Sequence, residues 1–235
     1  MTAQLPLALR WPRRQRFEYF HAGANALALA AAQVLASRRG APWLYLHGPS
    51  GSGKSHLLIA ACHAAHATGR VVQYLPLTGI GQPADALRAI AGADLLALDD
   101  IDAIAGRRDA EYALFDLYNR TRTDGGSLLF AATGAPAQLP LTLPDLRSRL
   151  GACTQLTLKP LVDDERRAVL KTQAAARGLA LDDGVLDWLF ARYPRDLGAL
   201  LDLLDRLDQA SLAAQRRITI PFLREQLRDA GDAAR

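Results

Sequence analysis

The chain has 235 residues, half of them hydrophobic, with a formal charge of +4 and only two cysteines. No apolar stretch approaches the ~18 residues that span a bilayer, and the first thirty residues lack the order of a signal peptide, so a soluble, cytoplasmic protein is expected. Cys62 and Cys153 make no disulfide framework, and neither they nor His63 and His66 have the spacing of a metal centre built from side chains alone.

In chain order, residues 1–16 read as a short tail with an apolar tip and a basic end. Ala24 to Ala36 reads as a helix, with Asn25 a plausible N-cap. Trp43 to Leu46 is an apolar strand, followed by a glycine-rich loop and a helix from Ser55 to Thr68. Val71 to Leu75 is a second strand, Pro83 to Ala91 a short helix, and Leu95 to Leu98 a buried strand ending in Asp99-Asp100. A helix from Ala110 to Thr121 and a buried strand from Ser127 to Ala132 follow. Strands alternating with helices predict an α/β fold, a parallel sheet with helices on both faces over residues 17–160. After Pro160 the pattern turns all-helical: Asp163 to Arg177, Asp183 to Ala191, Asp196 to Ala214 and, after Ile218-Thr219-Ile220, Pro221 to Arg228. Residues 161–235 therefore read as a small α-helical lid domain.

The strongest chemical signal is Gly48-Pro49-Ser50-Gly51-Ser52-Gly53-Lys54-Ser55, a complete phosphate loop between a strand and a helix, with His56 next along that helix. Its glycines let backbone N–H groups turn inward around a polyphosphate, and the helix adds the positive end of its dipole. Lys54 is expected to reach the β- and γ-phosphates and the Ser55 hydroxyl to ligate Mg²⁺. The cofactor is therefore a nucleoside di- or triphosphate with Mg²⁺. The strand Leu95 to Asp100 projects Asp99 toward that cation and leaves Asp100, where active ATPases often carry Glu, to orient the attacking water. Thr133, at the end of the strand Ser127 to Ala132, is placed to hydrogen-bond the water or the γ-phosphate. Arg149 sits where an inter-subunit arginine finger would be, and Arg195 opens a lid helix from which it would touch the γ-phosphate. Without the surrounding pattern, either arginine reads first as a surface ion pair.

There are only three lysines (Lys54, Lys159, Lys171), and the arginines are densest at Arg13-Arg14-Gln15-Arg16, Arg38-Arg39, Arg107-Arg108 and Arg216-Arg217. These spots read as solvated faces, or as transient contacts with nucleic acid or an acidic partner.

The segments GPSGSGKSHLL, LLALDDIDAIAG, FDLYNRTRTDGG, LPDLRSRL and ITIPFLREQL together resemble the ATPase module of the bacterial replication initiator DnaA. More closely, they resemble the family of short DnaA homologues, the Hda regulatory inactivators. The likeness runs from Phe17 to Arg228. It implies an AAA+ fold, with Lys54 and Ser55 in the phosphate loop, Asp99 and Asp100 at the acidic strand end and Thr133 as sensor 1, where the family commonly has Asp. It further implies Arg149 as arginine finger and Arg195 as sensor 2. Gln4-Leu5-Pro6-Leu7-Ala8-Leu9 resembles the peptide by which that family docks on the DNA polymerase sliding clamp: Gln4 at a pocket rim, with Leu5, Leu7 and Leu9 in an apolar groove.

The sequence stops at Arg235 without the helix-turn-helix domain of DnaA, so no sequence-specific DNA binding of its own is expected. The implied function is negative regulation of replication initiation: a clamp-tethered, nucleotide-bound protein that stimulates ATP hydrolysis by DnaA. Its own ATPase is expected to be weak, with DnaA, the clamp and a second copy of the chain as partners. The alternative is an AAA+ helicase loader or a DNA-stimulated replication or transposition helper, which shares the same core motifs.

Overall fold

The computed structural model of the chain describes residues 15–193, 197–214 and 218–225. The chain divides into two compact units, one ending at Pro160 and the other beginning at Leu161.

The first unit is built on a five-stranded parallel sheet. Its strands are β1 (Leu44–His47), β2 (Val72–Pro76), β3 (Leu95–Asp99), β4 (Ser127–Ala132) and β5 (Thr154–Thr157), in the order β2-β3-β4-β1-β5. The helix α1 (Ala26–Ser37) precedes β1, and between successive strands run α2 (Lys54–Ala67), α3 (Pro83–Ala89), α4 (Arg108–Thr123) and α5 (Pro144–Gly151). The near-continuous apolar runs of β1, β3 and β4 are explained by burial on both faces. Leu44, Leu46, Leu95, Ala97, Leu129 and Ala131 pack on the side of α1 and α2. The residues between them, Tyr45, Leu96, Leu98, Leu128 and Phe130, pack on the side of α3, α4 and α5.

The parallel sheet with flanking helices agrees with the sequence reading, and two details differ. Asn25 does hold the N-cap position of α1, but its side chain makes no capping bond. Instead it donates from Nδ2 to the Lys159 carbonyl and accepts the Lys159 N–H, each at 2.8 Å, which clamps the start of α1 to the chain leaving β5. The strand β5 and the helix α5 were not predicted. Thr154, Gln155 and Thr157 are exposed on an edge strand, so β5 lacks the apolar run that marks β1, β3 and β4.

The second unit contains α6 (Asp163–Ala175), α7 (Asp183–Arg192) and α8 (Leu197–Ala214), and residues 220–225 are also helical. Asp182 caps α7 by accepting the Val185 N–H at 2.9 Å, and Glu165 reaches back to the Val162 N–H at the start of α6. Leu170, Val185, Leu186, Leu189, Leu203, Leu207 and Phe222 form its core. No described helix is long and apolar enough to cross a membrane.

Candidate nucleotide site at the strand ends

Because all five strands are parallel, their carboxyl ends share one edge of the sheet, where ligands of open α/β sheets bind. β1 delivers the phosphate loop there, and the Gly48 N–H bonds the Ala132 carbonyl at the end of neighbouring β4. Gly48 has φ +154°, and a Cβ on it would stand 2.2 Å from the Leu158 carbonyl oxygen. Gly53 has φ +95°, and a Cβ there would meet the Phe20 ring at 2.8 Å. Only glycine serves at these two places.

Lys54 opens α2 and is buried; its Nζ donates to the Gly48 and Pro49 carbonyls at 2.6 and 2.9 Å. Burial lowers the pKa of its ammonium, against the pull of Asp99, Asp102 and Asp100. Pro49, Ser50 and Gly51 form the exposed crest of the loop, while Ser52 is buried and its hydroxyl has no partner among the described residues. His56 turns elsewhere: its Nε2 lies 2.9 Å from the Arg16 carbonyl and its ring meets Phe20 edge-on. Burial lowers its pKa.

β3 ends in Asp99, only 2 % exposed. Its Oδ2 accepts the Tyr74 hydroxyl at 2.9 Å and its Oδ1 the Asp100 N–H at 3.0 Å. Burial raises its pKa, and the nearby Ser55 hydroxyl and the Tyr74 hydrogen bond oppose the rise. The Ser55 hydroxyl and the Asp99 carboxylate thus stand together, two hard oxygen donors of the kind that Mg²⁺ takes alongside phosphate oxygens and water. Asp100 has left-handed backbone angles (φ 56°, ψ 51°), the one positive φ outside glycine among the described residues. Asp tolerates this region better than most residues, and such conformations gather at functional sites.

Sequence reasoning missed Asp102. Its Oδ1 and Oδ2 accept the Thr133 N–H at 3.0 and 2.9 Å, and Oδ1 also accepts the Thr133 hydroxyl at 2.5 Å. Thr133 spends its one hydroxyl proton on Asp102, so only its oxygen lone pairs face outward. The signal available in the sequence was a third aspartate three residues after Asp99. Tyr74 was also missed.

Arg149 packs beside the residue that enters β1, not beside the phosphate loop that leaves it. Its guanidinium stands 5.9 Å over the Tyr118 ring, and that ring meets Trp43 edge-on. Trp43 precedes β1, whereas the loop follows it, and four residues of strand separate the two by about 13 Å. Arg195 and the segment holding Gln4, Leu5, Leu7 and Leu9 lie outside the described residues.

Residues 163–227 match the family model of the Hda lid domain, and residues 44–158 match that of the ATPase family associated with various cellular activities (AAA). The chain thus pairs an ATPase region of the AAA type with a following region that is similar to the Hda lid. Its fold is similar to domain III of the Thermotoga maritima replication initiation protein DnaA, with TM-score 0.76 and 19 % identity over 93 % of this chain and 98 % of that one. AMPPCP-bound DnaA from Aquifex aeolicus gives 0.67 and 21 % over 83 % and 66 %. The Thermotoga maritima RuvB branch-migration motor gives 0.60 and 19 % over 87 % and 67 %.

Proposed function

We propose that this AAA+ protein is a nucleotide-bound regulator of replication initiation which, tethered to the DNA polymerase sliding clamp, makes DnaA hydrolyse its ATP. The phosphate loop holds ADP or ATP through its N–H groups and Lys54, with Ser55 and Asp99 toward Mg²⁺. The cation supplies charge neutralisation for the phosphates when bound. Asp100 and the outward lone pairs of Thr133 orient water for a slow turnover of its own nucleotide, and Arg195 takes the sensor-2 role that the family resemblance implies. Gln4, Leu5, Leu7 and Leu9 dock on the clamp.

The observation that carries this reading is the position of Arg149. A guanidinium that packs on Tyr118, beside the residue entering β1, is not engaged by its own phosphate loop and is available to the nucleotide of a partner. In the partner's site it neutralises charge on the transferring γ-phosphoryl group, an effect worth roughly 10³- to 10⁵-fold for arginine fingers. The lid match to Hda makes DnaA the partner of choice.

The test is phosphate release from ATP-loaded DnaA, with and without this protein and a DNA-loaded clamp. Release is expected to need all three components, to vanish with Arg149→Ala and to fall sharply when residues 4–9 are deleted. An Arg149→Ala protein as stimulatory as the wild type refutes the mechanism. Release from ATP by this protein alone, indifferent to DnaA and clamp, refutes the regulator and favours a loader.

A further inference from the structure

Tyr74 lies on the edge strand β2, whose register sets Tyr74 beside Ala97 and Pro76 beside Asp99. Its ring is half-buried in the core on the side of α1 and α2. From there its hydroxyl reaches Asp99 Oδ2 at 2.9 Å. The torsion that turns a carboxylate about its own axis is soft and broad, so burial alone leaves the two oxygens of Asp99 free to exchange places. Two donors remove that freedom: the Tyr74 hydroxyl on Oδ2 and the Asp100 N–H on Oδ1. The second comes from the carboxylate's own neighbour. Tyr74 is the one that comes from a strand with no other part in the site.

We propose that Tyr74 is a positioning residue for the Mg²⁺–nucleotide complex: its hydroxyl fixes the rotation of Asp99 and so keeps that carboxylate turned toward Ser55. The proposal rests on the nucleotide reading above. A tyrosine that merely satisfied a buried carboxylate would contribute equally with and without the cation, whereas a positioning tyrosine contributes only when the cation is there to be met.

The experiment is equilibrium titration of the full chain with a fluorescent N-methylanthraniloyl ADP, in excess Mg²⁺ and again in EDTA, for wild type, Tyr74→Phe, Asp99→Asn and the double variant. Tyr74→Phe removes one oxygen and leaves the ring to pack. Its affinity in EDTA is expected to match the wild type, while affinity in Mg²⁺ falls about tenfold, the scale of one hydrogen bond to a charged group. In the Asp99→Asn background the same change is expected to add nothing, since the two residues act as one unit. Equal losses in Mg²⁺ and EDTA, no loss in either, or a full additional loss in the double variant overturns the inference alone. A wild type whose binding is absent or indifferent to Mg²⁺ overturns the nucleotide reading and this inference with it.

Discussion

Replacing Glu111 by Gln should cost about 3 kcal/mol of stability, mostly from a single unmade bond. Glu111 lies on α4, fully buried, and is held by three residues of other segments. Its Oε1 accepts the N–H groups of Gly106 and Thr142 at 2.8 and 3.0 Å. Its Oε2 accepts the Thr142 N–H at 2.9 Å, the Thr142 hydroxyl at 2.8 Å and the Leu143 N–H at 2.7 Å. Leu143 is the N-cap residue of α5, so this one carboxylate secures the start of the helix that carries Arg149. Glutamine does best with its oxygen at the Oε2 position, where it keeps three donors. Its amide nitrogen then faces the Gly106 N–H, donor against donor, and a buried unpaired N–H costs ~1–3 kcal/mol. The three surviving bonds also lose the charge that roughly doubles their strength. A loss of about 3 kcal/mol lowers the melting temperature by roughly 10 °C in a domain of this size.

The acid limb gives the sign. Burial pushes the Glu111 carboxyl up, but the hydrogen bonds from Thr142, Gly106 and Leu143 outweigh it, and its pKa lies below the ordinary glutamate value. The added stability is therefore complete above the unfolded glutamate pKa of about 4.3 and is lost as pH falls through the lower folded value. In denaturant melts, the gap between wild type and Glu111→Gln should stay constant near neutral pH and close on acidification. A gap under about 1 kcal/mol at pH 7, or one that widens in acid, refutes the reasoning.

Two further outcomes follow from close contacts. Gly48→Ala puts a Cβ 2.2 Å from a backbone carbonyl, so the loop and the Leu158 segment must part; nucleotide affinity should fall at least about tenfold, and unchanged affinity refutes the assigned need for glycine. Arg70 is buried and donates to the Leu35, Ala36 and Asp94 carbonyls at 3.0 Å each, and to the Ser127 hydroxyl at 3.4 Å. Arg70→Met strips the last turn of α1 of these donors and should cost about 3 kcal/mol in urea melts with an unchanged slope, whereas a cost near zero refutes it.

Much of the site was legible in the amino-acid order because its chemistry is local. A strand, a glycine-rich turn and a helix are consecutive, so Gly48 to Ser55 declare a phosphate loop without reference to the rest of the chain. Apolar runs at β1, β3 and β4 declare strands buried on both faces, and two carboxylates at the end of one run declare the acidic edge. Other features were decided only by the tertiary structure: Asn25 clamping Lys159 instead of capping α1, Tyr74 holding Asp99, Asp102 holding Thr133, and Glu111 holding Thr142. These pairs join residues 134, 25, 31 and 31 positions apart. Which residues meet across such separations depends on the strand order β2-β3-β4-β1-β5, and local periodicity carries no record of that order. The same holds for β5, a polar edge strand that exists because β1 offers it a row of backbone partners.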